Sequence, residues 1–176
     1  MNRIDWNRFN WKKIFGVVSS TDKMKRPQAR FQRAEIIEVA IDKYSGGQLK
    51  YVGDTADGMD FEGSDGLRYE CKGQGKIWQE SGRVPHTTSL TLKNHRTDKK
   101  EKMKKTFDYM ILVDTGKNRV GVCKWKDCDI TNNDADITFR VIQDKITVVA
   151  DNVTPDAVLA SKDLDKDIQL LIRESI

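Results

Sequence analysis

Within residues 28–72 the spacing of apolar side chains changes period, and that change limits the possible folds more than any other feature of the chain. Phe31, Ala34, Ile37, Ala40, Ile41 and Tyr44 recur at helical spacing, and Gly46-Gly47 supplies a stop. Over residues 67–72 the pattern becomes strict alternation: Leu67, Tyr69 and Cys71 against Arg68, Glu70 and Lys72. A period of two means a strand with one face on a core and the other exposed. Both periods in one chain exclude all-α and all-β architectures. Further along, Tyr109–Asp114 and residues 119–125 are predicted as two strands around a turn at 115–118. Residues 137–142 and 145–150 are expected to form another hairpin. Residues 98–105 are expected to form a basic helix, and 161–176 a closing helix with Leu164, Ile168 and Leu171 on one face. At the start, residues 4–16 predict a short amphipathic helix with Asp5 as N-cap and Gly16 as stop, followed by a loop over 19–26. Residues 73–89 are polar and too irregular to assign. The order predicts an α/β (α+β) fold, a mixed core sheet flanked by helices.

The chain of 176 residues has three scattered prolines and no repeat, so one domain over 1–176 is expected. A domain of that length can bury roughly 70% of its unfolded surface without disulfides or structural metal. Its apolar runs, about four to five residues at 109–113 and 146–150, are far short of the ~20 needed to span a bilayer. The opening residues alternate Arg, Asp, Trp and Lys with no apolar leader, and three cysteines suit no extracellular disulfide framework. A cytoplasmic protein without membrane partners is expected.

The net charge of +4 is unevenly spread. Residues 1–33 carry nine basic and two acidic side chains; residues 34–92 carry six and ten. Residues 93–105 return to seven basic against two acidic, and 151–176 hold three against six. Basic flanks suggest a polyanion partner. The acidic middle would repel nucleic acid unless divalent cations lay between.

That middle contains the chemistry. Glu70 and Lys72 are two apart on a predicted strand, so they share a face at a spacing of about 7 Å. Asp60 lies ten residues before Glu70, across a glycine-bounded turn at Ser64-Asp65-Gly66 that can fold it back beside Glu70. Asp57, Glu62 and Asp65 compete for the same role. Two carboxylates brought together need a countercharge. Mg²⁺ is the usual solution, held by one or two carboxylates, waters and substrate phosphate oxygens. A lysine alongside can orient water or stabilise charge on a phosphate. The parts suit phosphodiester hydrolysis. Acid-x-Lys occurs twice, at Glu70 and at Asp98. Only the first has alternating apolar partners and an upstream Asp; its plain alternative is a solvated Glu–Lys pair.

Asp60, nine residues, then Glu70-Cys71-Lys72 resembles the signature of the PD-(D/E)xK nucleases. With a helix before the Asp, the order of elements is similar to the small homodimeric type II restriction endonucleases. Met59 stands where the motif's proline would be. The resemblance implies a restriction-endonuclease-like fold and a Mg²⁺ site, with Mn²⁺ able to substitute. Asp60, Glu70 and the main-chain carbonyl of Cys71 would hold the metal, and Lys72 would position the water. Glu38, or Glu35, would supply the acidic residue of the preceding helix, and Gln74 would share the face if the strand runs through Gly73. It also implies that the segment after the lysine reads DNA, through His86, Thr87, Thr88, Lys93, Asn94, His95 and Arg96.

The expectation is therefore a homodimeric endonuclease on double-stranded DNA, sequence-specific in the restriction manner. A structure-selective nuclease of junction-resolvase type shares the same site, and a non-catalytic nucleic-acid-binding protein would use the same basic flanks. Two histidines and the single Cys123-x4-Cys128 pair do not make a zinc site. No Gly-rich phosphate loop or Gly-x-Ser-x-Gly elbow is present, so no nucleotide cofactor is expected. Trp6, Trp11, Trp78 and Trp125 are expected as core or interface anchors.

Overall fold

The computed structural model describes residues 3–21, 29–53, 60–74, 87–93, 107–132, 136–158, 162 and 164–175. Helix α1 (Trp11–Thr21) is followed by α2 (Ala29–Lys43), and α3 (Lys166–Ser175) closes the chain. Among the described residues nine strands lie between α2 and α3. Six form a mixed sheet in the order β1 (Leu49–Tyr51), β2 (Phe61–Gly63), β3 (Arg68–Gln74), β5 (Tyr109–Asp114), β6 (Arg119–Lys124) and β9 (Thr147–Ala150). Only β3 and β5 are parallel; the other neighbours are antiparallel. A second, antiparallel sheet has the order β4 (Thr87–Lys93), β8 (Asp136–Ile142), β7 (Cys128–Asn132). The fold is α+β, as the two periods predict.

The core explains the layering. Ile14, Phe15 and Val18 of α1 and Ile37 and Ile41 of α2 pack with Phe61, Tyr69, Cys71, Ile111, Val113, Val120 and Val122 of the sheet. On its other side α2 sends Ile36 and Ala40 against Val158, Leu164, Ile168 and Ile172. Tyr44 Oη accepts from the Asp165 N–H at 2.9 Å, fastening the end of α2 to the start of α3. Glu38, on α2 beside these apolar contacts, is half-buried. β5 is buried along all six residues, which accounts for its unbroken apolar run. Trp6 and Trp11 stack with Phe9, at ring separations of 5.0 and 4.7 Å for successive pairs, and Trp125 packs on Phe107.

Three local expectations are corrected. Asp5 does cap, accepting from the Asn7 N–H, but what it caps is a single 3-10 turn, Trp6–Arg8. The α-helix starts after Asn10, whose side chain accepts from the Lys13 N–H. Gly16 does not stop that helix, which continues through Ser19 to Thr21. A Cβ at Gly16 would sit 2.5 Å from both Asp156 O and Val158 Cγ1, so this glycine is there for close approach. Finally, residues 137–150 are not a hairpin. β8 pairs with β4 and β7, β9 pairs with β6, and a 3-10 turn at Gln143–Lys145 carries the chain from one sheet to the other. The strand predicted to 125 ends at Lys124, and the basic helix over 98–105 lies outside the described residues. Among the described residues no helix is long and apolar enough to cross a membrane.

Candidate active site

Asp60 is held by its backbone before its side chain does anything. Its N–H donates to Tyr69 O and its carbonyl accepts from the Val52 N–H, both at 2.9 Å. The turn after β2 then returns the chain so that Phe61 pairs with Tyr69. Gly66, with φ +77°, supplies the left-handed step that this return needs. As a result Asp60 Oδ2 accepts from the Cys71 N–H at 2.8 Å, next to Glu70. The competitors separate by structure: Glu62 is exposed, and Asp65 accepts from the Leu67 N–H and the Tyr69 hydroxyl inside the turn. Asp57 lies outside the described residues.

Along β3, Tyr69 and Cys71 are buried in the core. The face expected to be exposed is instead one wall of a cleft. The Glu70 and Lys72 side chains are 13% and 29% exposed, and Lys72 Nζ lies 3.6 Å from Glu70 Oε1. The cleft, of about 540 Å³, is lined by Glu38, Asp60, Glu70, Cys71, Lys72 and Gly73 together with Arg33, Ala34, Ile37 and Thr115. Four of the five residues expected to do chemistry therefore share one cavity. Glu35, the alternative on α2, is exposed and is not among its lining residues. Gln74 ends β3 opposite Asp114, so the strand does run through Gly73; its side chain lies outside the described part.

Electrostatics in the cleft are strained by the carboxylates. Burial, then the charges of Asp60 and Glu70, push the Glu38 carboxyl up to about 9, against the lowering pull of Lys72 and a hydrogen bond from Tyr51. Burial and Asp60 push Glu70 up to about 8, again opposed by Lys72. Burial, before the acidic neighbours, raises the Cys71 thiol well above its ordinary value, so it is a core group and not a nucleophile. Glu38 and Glu70 would hold protons at neutral pH unless a cation replaced them, which is the donor chemistry of a hard divalent ion. Among the described residues no three His, Cys, Asp or Glu groups are gathered into a ready-made metal cluster. An open acidic wall suits Mg²⁺, which keeps several waters and takes only one or two carboxylates plus phosphate oxygens.

Arg33, Tyr51 and Thr115 were not singled out from sequence. Arg33 lies five positions before Glu38 on α2, which is not a same-face helical spacing, so no local pattern flags it. Thr115 reaches the cleft through the parallel pairing of β3 with β5, which no local pattern reveals. Its turn is fixed by Asp114, whose Oδ1 accepts from the N–H groups of Gly116 and Lys117 and whose Oδ2 pairs with Arg119 Nε at 3.2 Å. Of the residues expected to read DNA, His86, Asn94, His95 and Arg96 lie outside the described residues. Thr87, Thr88 and Lys93 fall on β4, in the three-stranded sheet and not the one that carries Glu70. No protein-family model, characterised protein or solved structure matches the chain.

Proposed function

We propose that this chain is a magnesium-dependent nuclease of the PD-(D/E)xK type that hydrolyses phosphodiester bonds of double-stranded DNA in the cytoplasm. One observation carries the reading: Glu38, Asp60, Glu70 and Lys72, drawn from a helix, a turn and a strand, line a single cleft. A solvated Glu–Lys pair on a strand would have no reason to be joined there by two further carboxyls from other elements.

Asp60, Glu70 and the Cys71 carbonyl are the groups that would hold the ion. When bound, it would polarise the phosphoryl oxygens and offset the acidic wall. Asp60 is kept in place by the Cys71 amide through Oδ2, which presents its carboxylate to the cleft beside Glu70. Lys72 Nζ, restrained beside Glu70 Oε1, orients the attacking water and donates to the phosphoryl oxygens as negative charge builds on them. Glu38 adds a third carboxylate that strengthens cation binding. Cutting both strands with one such cleft per chain calls for a homodimer. Sequence-specific cleavage in the restriction manner is the favoured form.

The test is supercoiled plasmid incubated with the full chain in Mg²⁺ or EDTA, beside Lys72→Ala. Discrete fragments from the wild type, only with Mg²⁺, are expected. Nicked circles alone would keep the chemistry and favour a structure-selective enzyme. DNA binding that ignores Mg²⁺, with no cleavage by any protein, would sink the nuclease reading in favour of a binding protein.

A further inference from the structure

The cleft is lined by two cationic side chains, and the nuclease reading uses only Lys72. Arg33 lines the opposite, helical wall with Ala34, Ile37 and Glu38. Arg33 and Glu38 are five residues apart on α2, so about 7.5 Å of helical rise separates them. Ala34, exposed and carrying only a methyl group, leaves the wall between them open. Arg33 thus presents a guanidinium to the same cleft as the acidic cluster, one helical turn or more from Glu38 along α2. With a divalent ion held in place of the protons on Glu38 and Glu70, three carboxylates, two cationic side chains and the ion sum to one positive charge, and a phosphodiester is the ligand class that such a cleft takes. Arg33 is suited to the contact because its planar fork can donate two parallel bonds to phosphate oxygens.

We infer that Arg33 binds the phosphate adjacent to the scissile one and so sets which phosphate of the strand reaches Lys72. The inference rests on the nuclease reading of the same cleft. The plain alternative is that Arg33 only offsets the acidic wall; it would then alter cation affinity without being a phosphate contact.

The experiment measures binding of a short labelled DNA duplex to the full chain in Ca²⁺ over a series of NaCl concentrations, with steady-state cleavage in Mg²⁺. Wild type, Arg33→Gln and Arg33→Lys are compared, each checked by thermal melting. Arg33→Gln should lower affinity by at least about tenfold. The slope of log affinity against log salt should become shallower by about 0.9, one phosphate contact fewer. The loss should fall on KM more than on kcat. Arg33→Lys should hold the slope and lose part of the affinity, and it carries the test if Arg33→Gln does not fold. An unchanged slope and KM in variants of an enzyme that cuts DNA would overturn the role of Arg33 and leave the nuclease intact. So would a loss confined to kcat or to Ca²⁺ affinity. A wild type that neither binds nor cuts DNA would overturn both.

Discussion

The main-chain N–H of Cys71 donates to Oδ2 of Asp60 at 2.8 Å, so the start of β2 and the strand bearing Glu70 are fastened together at the edge of the cleft. This bond needs an acceptor oxygen but not a negative charge. Asp60→Asn can keep it, whereas Asp60→Ala leaves the amide without that partner, a change of about 1 kcal/mol. Removing the charge also relieves repulsion with Glu70 and Glu38. Asp60→Asn should therefore melt at or above the wild-type temperature in EDTA while plasmid cleavage falls by at least about a hundredfold, as expected for a lost transition-state contact. Melting well below wild type would show that the charge itself holds the turn.

Glu38 and Glu70 bind protons more tightly in the fold than their ordinary value of 4.5 allows, at about 9 and about 8. Protonation thus favours the folded state. The contribution is complete below the unfolded value and is lost as pH rises through those folded values. In EDTA the melting temperature should fall steadily between roughly pH 5 and 9. Mg²⁺ should offset the loss, most strongly at the alkaline end, because the cation takes over from the protons. Glu38→Gln should flatten the EDTA profile. Melting scans across that range, with and without Mg²⁺, check this; parallel curves for wild type and Glu38→Gln would sink it.

The triad was legible because its geometry is local. A period of two fixes the shared face of Glu70 and Lys72, and a glycine turn closes the gap to Asp60. Glu38 was legible one level further out, as an acid on the helix before the strand. The same alternation misjudged its own polar face, since exposure depends on what packs alongside: Glu70 and Lys72 face a cleft, not bulk water. Residues 137–150 failed for a related reason. Two strands separated by a short connection look like a hairpin, yet β8 and β9 find partners in different sheets. Thr115 and the buried charge behind it depend on long-range pairing and left no local trace.

Gly16 offers a test of packing against propensity. In an exposed helix interior, alanine would be favoured over glycine by about 1 kcal/mol. Here the added methyl would meet Asp156 O and Val158 Cγ1 at 2.5 Å, and one of these is backbone that cannot swing aside. Overpacking of this kind costs typically about 1–3 kcal/mol. Gly16→Ala should therefore be net destabilising, measured as a lower urea midpoint with an unchanged slope. A stabilised variant would mean that α1 and residues 156–158 can separate freely.

Asp114 and Arg119 close the β5–β6 hairpin with an ion pair whose side chains are each 2% exposed. The net stabilisation from such a pair is small, because desolvation offsets the attraction, but removing one partner alone strands a buried charge. Arg119→Met leaves the Asp114 carboxylate buried beside the turn amides of Gly116 and Lys117 but without its ion-pair partner. The expected loss is about 3–5 kcal/mol. The double variant Asp114→Asn with Arg119→Met removes the stranded charge and should recover a large part of that loss. If the turn carries Thr115 in the cleft, the double variant should still cleave less DNA than its melting temperature would suggest, because the amide holds the 115–118 turn less firmly than the carboxylate. Denaturant curves for the two singles and the double, with cleavage rates measured well below each midpoint, separate the two effects; full additivity would show that the charges act independently.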